Sequence, residues 1–508
     1  MDASESEYRV SRGIMFAETG RHEKSLADLT AAIAIRPQAV AYGWRGYVYN
    51  ARRDYAQAIR EYTAALRLDP QNASYLACRA QPFLESRQFD WALADCERAL
   101  RLAPESADAL AKRGGVRVAL GQLDHALADL NRAIELDPAH AGAYFERGSA
   151  HIRARKFDQA VADFSESIRL DPSSAAASRW GRAGAYYEKR DYDQALADLA
   201  AVARAEPMAA AAHARMGHVY VVKGEYDKAL AACDEALRLD PKNAEAYMNR
   251  GFCRWAKRDY DRCIADYTAA IGLGAKNSHC FTKRGHAHLM KGENGKALED
   301  STEAIRLDPK NAEAYVNRVY CFRVKRDFDK ALADYTEAIR NDPRPVYAYV
   351  DRAAIYLELN EHAKVVADCT DAIRLDPKSS LAFSTRAYSY DELQEHEKAI
   401  ADYTEAVHLD PKNAGAHGGL AYILATCPDV ALRDPRKAIE HGTKAKNLTE
   451  SKDARILETL ASAHAADGDF KEAIKWQRKA VDLGYKDDTL DSAAEARLRQ
   501  YETLNGME

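Results

Sequence analysis

What this 508-residue sequence lacks already narrows what it can be. It has no run of about 18 apolar residues, so no membrane-spanning helix is expected. The opening MDASESEYRV is acidic and has no apolar core, so no secretory signal is expected there. Nine cysteines are scattered without a CxxC pair, and the odd number suits buried, reduced thiols in a cytoplasmic protein. Neither sign of charge prevails. With 73 Lys and Arg against 78 Asp and Glu, the net charge of −5 offers no basic field to DNA or RNA. Alternating strand patterns are absent, and with them any strand–helix setting for GxxxxGK(S/T), GxGxxG or GxSxG. The histidines form no HExxH. His286 and His288 in RGHAH lie two apart, and on a helix such residues point in different directions. No catalytic residue, cofactor or metal site is expected.

What the chain does contain is a repeat. The stretch from Asn243 to Lys276 reads NAEAYMNRGFCRWAKRDYDRCIADYTAAIGLGAK, and relatives of it recur every 34 residues, such as NAEAYVNRVYCFRVKRDFDKALADYTEAIRNDP from Asn311. Each unit reads as a helix, a short turn at an Asp–aromatic pair, a second helix and a proline-bearing turn. A period of this size predicts an all-α solenoid. Counting Ala244 as slot 1, slot 8 is usually Gly, slots 20 and 27 are usually Ala, and slots 4, 11, 17 and 24 carry Tyr, Phe or Leu. Small residues let the two helices approach, and large ones fill the gaps between them. Proline at slot 32 ends the second helix, and Asn or Ser at slot 34 is placed to cap the next first helix.

This pattern of small and large slots resembles the tetratricopeptide repeat family over nearly the whole chain. The resemblance implies a right-handed α-solenoid superhelix of about fourteen helix-turn-helix repeats, whose first helices line a concave groove. The units begin near Ser6 and run on to Ala454. They divide the chain into a tail at 1–5, twelve regular units at 6–413, two divergent units at 414–486, and a capping helix with tail at 487–508. Some positions depart from the pattern. Pro82 inside a first helix is expected to kink it or loosen its start. One residue is added near Ala175. Gly272-Leu273-Gly274-Ala275 replaces the proline turn and is a hinge candidate. About five residues are added within Ala425–Pro435, and the segment after them resembles the terminal part of bacterial, planctomycete-type members.

Slot 7 is arginine in eleven of the first twelve units, and slot 23, sixteen residues on, is acidic in the same eleven. The seventh unit has Met216 and Ala232 instead, so the two slots change together. Paired charge within each hairpin explains this better than an anion-binding track, because leaving one member of a buried pair alone costs about 3–5 kcal/mol.

In the family the groove is lined by slots 2, 5, 6, 9, 12 and 13. Units eight to eleven place large residues there (Met248, Phe252, Trp255, Leu289, Val316, Tyr320) among the polar Asn249, Lys283, Asn317 and Arg323. Aromatics beside a few polar groups are the composition of a binding hot spot. The Lys/Asn clamp of chaperone-tail binders is incomplete, since Ala214, His218 and His279 stand where it needs other residues. The asparagine ladder of sugar-transferase members is missing as well. The expected function is a protein–protein interaction scaffold or adaptor that binds a protein or peptide segment in the groove. The alternatives are a regulatory subunit that holds or inhibits a separate enzyme through the inserted loop, and self-assembly as a homo-oligomer through the solenoid ends.

Overall fold

The computed structural model describes residues 3–173, 175–205, 210–484 and 488–506. Among them are 29 α-helices and one 3-10 turn, with no strand. The helices form two compact units, Met1–Arg258 with Gly272–Gly274, and Asp259–Ile271 with Ala275–Glu508. Within each unit, successive helices pack as hairpins in register with the repeat, for example Ala141–Arg153 on Phe157–Leu170 and Ala312–Val324 on Phe328–Asn341. The fold is an α-solenoid.

The slot pattern explains the packing. A Cβ added at Gly148 (slot 8) would lie 3.0 Å from the Phe164 ring (slot 24), so this close helix approach needs a residue without a side chain. In repeat 11 the same contact is made by Ala353, Val365 and Cys369, all fully buried. The cysteines are core fillers. Eight of the nine are buried, and burial pushes the Cys96 and Cys369 thiols up to about 12. The slot-34 residues cap as expected: Asn311 Oδ1 accepts the Ala314 N–H at 3.1 Å, and Asn243 Oδ1 that of Ala246 at 2.9 Å.

Slot 15 carries a constraint that composition hides. It takes positive φ in most repeats, whether it is Gly292 (φ 75°) or Arg326 (φ 55°). The first helix closes there, with the Asp327 N–H donating to the Phe322 carbonyl at 2.9 Å.

Two expectations need correction. Helix Ala73–Glu85 continues through buried Pro82, and its start is not loosened, since the Asn72 side chain accepts the Tyr75 N–H there. The first helix starts at Ala3, inside the segment assigned to a tail. The insertion in repeat 13 forms a short turn of its own. Asp429 caps a 3-10 turn at Val430–Leu432, the Arg433 Nε–H donates to the Cys427 carbonyl at 2.5 Å, and Leu432 packs on the core. In the linker after repeat 8, Gly274 has φ +102°, which favours glycine. Helix Asp488–Asn505 packs on the last hairpin, where Gln477 Nε2 donates to the Ala494 carbonyl at 3.1 Å and Tyr501 joins Ala461 and Ala473.

Candidate partner-binding site

The charged slots are part of the frame. In ten repeats the slot-7 arginine forms a two-pronged pair with its slot-23 carboxylate, as Arg318 does with Asp334 at 2.7 and 2.8 Å. In most of them the remaining guanidinium N–H reaches back to the preceding repeat. Arg352 Nη1 donates to Thr336 Oγ1 at 3.1 Å, and that hydroxyl donates to the Leu332 carbonyl at 2.8 Å. Arg250 makes the same kind of link to Asp234 at 2.6 Å. These arginines therefore tie the two helices of a hairpin together, and most of them also tie it to the repeat before.

The ten groove candidates fall in both units and do not share one environment. In the first unit, helix Ala244–Ala256 carries Met248, Phe252 and Trp255, all half-buried. The Phe252 ring lies 5.6 Å from Trp255 and 6.4 Å from Tyr226. Asn249 is buried and donates to the Ala214 carbonyl at 3.1 Å. In the second unit Asn317 makes the same bond to the Thr282 carbonyl at 3.1 Å, and buried Lys283 holds Glu313 at 2.8 and 3.0 Å. Slot 6 thus joins consecutive hairpins, through the preceding repeat for the two asparagines and through the following one for Lys283. Leu289 is likewise a core residue, buried with Ala297 and Cys321. Arg323 is half-buried beside Asp351, where burial raises the carboxyl and the guanidinium lowers it. Val316 is half-buried, and Tyr320 is exposed.

The side chains that do face solvent follow a rule. In the second unit, exposed large apolar residues on the first helices fall at slots 2, 9 and 13: Met290, Tyr320, Val324, Tyr347, Leu381, Tyr388 and Tyr422. Of these, only Tyr320 is among the ten groove candidates that the sequence offers. Tyr347, Tyr388 and Tyr422, at slots 2 and 9, carry no such signal, because tyrosine is also the common core residue at slots 4, 11, 17 and 24. Of the RGHAH pair, His288 is buried and bonded to Glu293 at 2.8 Å. Among the described residues no three His, Cys, Asp or Glu are placed to hold a metal ion. No described helix is long and apolar enough to cross a membrane.

Family models described as tetratricopeptide repeat match overlapping segments that run from 11 to 210 and from 282 to 380, and others match 244–277, 382–413 and 454–483. A model described as TPR repeat matches 217–257. The chain is a tetratricopeptide repeat protein. No curated protein matches the sequence. Among solved structures, this tetratricopeptide chain is similar to that of the APC/C hetero-tetramer Cut9–Hcn1, at 16% identity over 97% of this chain and 96% of that one, with a TM-score of 0.43. It is similar to yeast Tom70 at 16% identity over 92% and 96%, with a TM-score of 0.33. It is also similar to YrrB, described as a TPR protein with an unusual peptide-binding site, at 19% identity over 43% and 95%, with a TM-score of 0.28.

Repeat 13 of this tetratricopeptide chain has Leu420 at slot 7 in place of the arginine, and His441, at the position of the lost carboxylate, turns to His417 at slot 4. His417 Nε2–H donates to the Pro411 carbonyl at 3.2 Å, which leaves its Nδ1 to accept from His441 Nδ1–H at 2.9 Å. Burial pushes both imidazoles below the usual value, Lys444 and Lys437 reinforce this, and Glu440 and Asp410 oppose it. The unfolded chain therefore binds protons more readily than the folded one. The stability that the pair contributes is complete above about pH 6.5 and is lost as the pH falls from there towards the lower folded values. His417→Gln/His441→Gln is expected to lose about 1 kcal/mol less than wild type between pH 7 and 5.5, read from urea midpoints followed by circular dichroism. Equal losses would remove the pair from the acid response.

Proposed function

We propose that this protein is a scaffold or adaptor without chemistry of its own, which captures a segment of a partner protein on the exposed face of its first helices. The reading places it in the cytoplasm of a bacterium. The observation that carries it is the restriction of exposed apolar side chains on the second unit's first helices to slots 2, 9 and 13, with Tyr320, Val324 and Tyr347 at its centre. Water-exposed tyrosines in register along successive helices give large, stiff contact area at low entropic cost, which suits an extended or helical segment. Val316 stands beside this strip. Met248, Phe252 and Trp255 supply the first unit's own half-buried surface. Asn249, Lys283, Asn317 and Arg323 set the spacing of the helices that present it.

The test selects peptides from a display library on the full chain and measures their affinity by fluorescence anisotropy. Tyr320→Ala/Tyr347→Ala is expected to weaken a selected peptide at least tenfold, with the helical circular dichroism unchanged. Val430→Asp, on the exposed 3-10 turn of repeat 13, should leave affinity unchanged. The opposite pattern would move the contact to the insertion and favour a regulatory subunit that grips an enzyme there.

A further inference from the structure

A cavity of about 480 Å³ lies over the first helices of repeats 12, 13 and 14, Ser380–Glu392, Ala414–Thr426 and Ala454–Ala466, all within the second unit. Its floor is bare backbone. Slots 2, 5 and 6 of repeat 13 are Gly415, Gly418 and Gly419, where repeat 10 has Glu313, Val316 and Asn317. Only Gly419 is required by packing, since a Cβ there would lie 2.3 Å from Tyr403. A Cβ at Gly418 would meet nothing nearer than Ile456 at 3.6 Å, and one at Gly415 only its own cap, Asn413, at 3.5 Å. The two glycines leave room that the fold does not need.

The walls are Tyr388 and Tyr422, both at slot 9 and both about half exposed. Four carboxylates and two arginines complete the lining. Two of the carboxylates serve the scaffold: Asp391 holds His396 Nδ1 at 3.0 Å, and Asp453 caps a helix by accepting the Arg455 N–H at 3.0 Å. Glu392 and Glu458 remain at the groove slots 13 and 5. Glu458 is met by a guanidinium from outside the repeats, that of Arg497 on the terminal helix. Arg497 keeps 44% of its side chain exposed while Glu458 keeps 16%, so the pair sits at the mouth of the cavity. The chain has placed its own arginine on the Glu458 carboxylate, in a cavity that Tyr388 and Tyr422 also line.

We infer that this cavity is a subsite for one basic side chain, arginine or lysine, of the captured segment, with Arg497 as the resident that it displaces. The inference rests on the partner-capture reading above. The incoming cation pairs with Glu458, finds Glu392 as a second carboxylate, and lies against the Tyr388 and Tyr422 rings. Bare backbone at Gly415 and Gly418 lets the main chain of the segment approach closely. Because the mouth is open to solvent, binding here weakens as salt rises.

The test uses a selected peptide containing arginine, with fluorescence anisotropy on the full chain. Exchanging that arginine for citrulline, which keeps the shape and removes the charge, is expected to weaken binding at least tenfold. Glu392→Gln and Glu458→Gln should each produce a similar loss. Glu392 is exposed, so that variant tests the subsite even if Glu458→Gln loosens the terminal helix. Arg497→Gln should tighten binding about fivefold. Insensitivity to citrulline and to both glutamate changes, with Tyr320→Ala/Tyr347→Ala still effective, overturns the basic subsite and leaves the capture reading standing. Weaker binding by Arg497→Gln overturns the displaced-resident step. Failure to select any peptide overturns both readings.

Discussion

Arg318→Ala is expected to destabilise the second unit by about 3 kcal/mol. Two guanidinium N–H groups meet the two Asp334 oxygens at 2.7 and 2.8 Å, and that carboxylate keeps only 7% of its side-chain exposure. Removing the arginine leaves a buried charge with no counter-ion. It also removes the cation stacked 5.7 Å from Tyr315 and 5.8 Å from Phe322. Arg318→Lys keeps the charge but cannot form the fork, so about 1–2 kcal/mol is expected to be lost. The chain itself supplies the control. Repeat 7 has Met216 and Ala232 in these slots, and Met216 packs against Leu199 and Val219. Arg318→Met/Asp334→Ala is therefore expected to fall within about 1 kcal/mol of wild type, because a packed apolar pair can replace a buried ion pair. Urea titration followed by circular dichroism separates the three variants. A double variant as weak as Arg318→Ala would mean that the pair supplies more than mutual neutralisation.

Two neighbouring glycines are expected to respond with opposite signs. A Cβ at Gly419 would stand 2.3 Å from Tyr403, a ring only 5% exposed and held between repeats 12 and 13. Gly419→Ala should cost about 1–3 kcal/mol as overpacking. Gly418→Ala meets no atom within 3.5 Å and replaces a mid-helix glycine, so it should add up to about 1 kcal/mol. Thermal melts of the two variants check the contrast. Equal responses would mean that Tyr403 yields freely, and the stiffness of that inter-repeat contact would have to be abandoned.

Much of this was readable from the sequence, because one hairpin repeats and each copy tests the others. The small and large slots, the caps at slot 34 and the arginine–carboxylate pairs all appeared as positions that agree or change together. The way consecutive hairpins stack was hidden, since it depends on contacts reaching into the next copy. Asn317 lies on what looked like the groove face, yet it bonds to a carbonyl 35 residues earlier. The third N–H of Arg352 finds Thr336 in the repeat before, and nothing in a single unit announces that bond. Slot 15 tolerates Arg, Asn, Gln or Gly, so a positive φ held in common leaves no compositional trace. The exposed strip was legible only in part. Slot rules name the face, but the exposure of Tyr320 and the burial of Leu289 depend on how closely neighbouring repeats approach.

The central claim is that the first-helix face of the second unit is the surface that holds a partner, and tyrosine footprinting tests it most directly. The full chain would be lightly nitrated with and without a saturating selected peptide, and the modified residues read by mass spectrometry. The account predicts that Tyr320, Tyr347, Tyr388 and Tyr422 lose reactivity on binding, while exposed Tyr8 and Tyr47 in the first unit keep theirs. Unchanged reactivity at all four, with a bound peptide present, would contradict it.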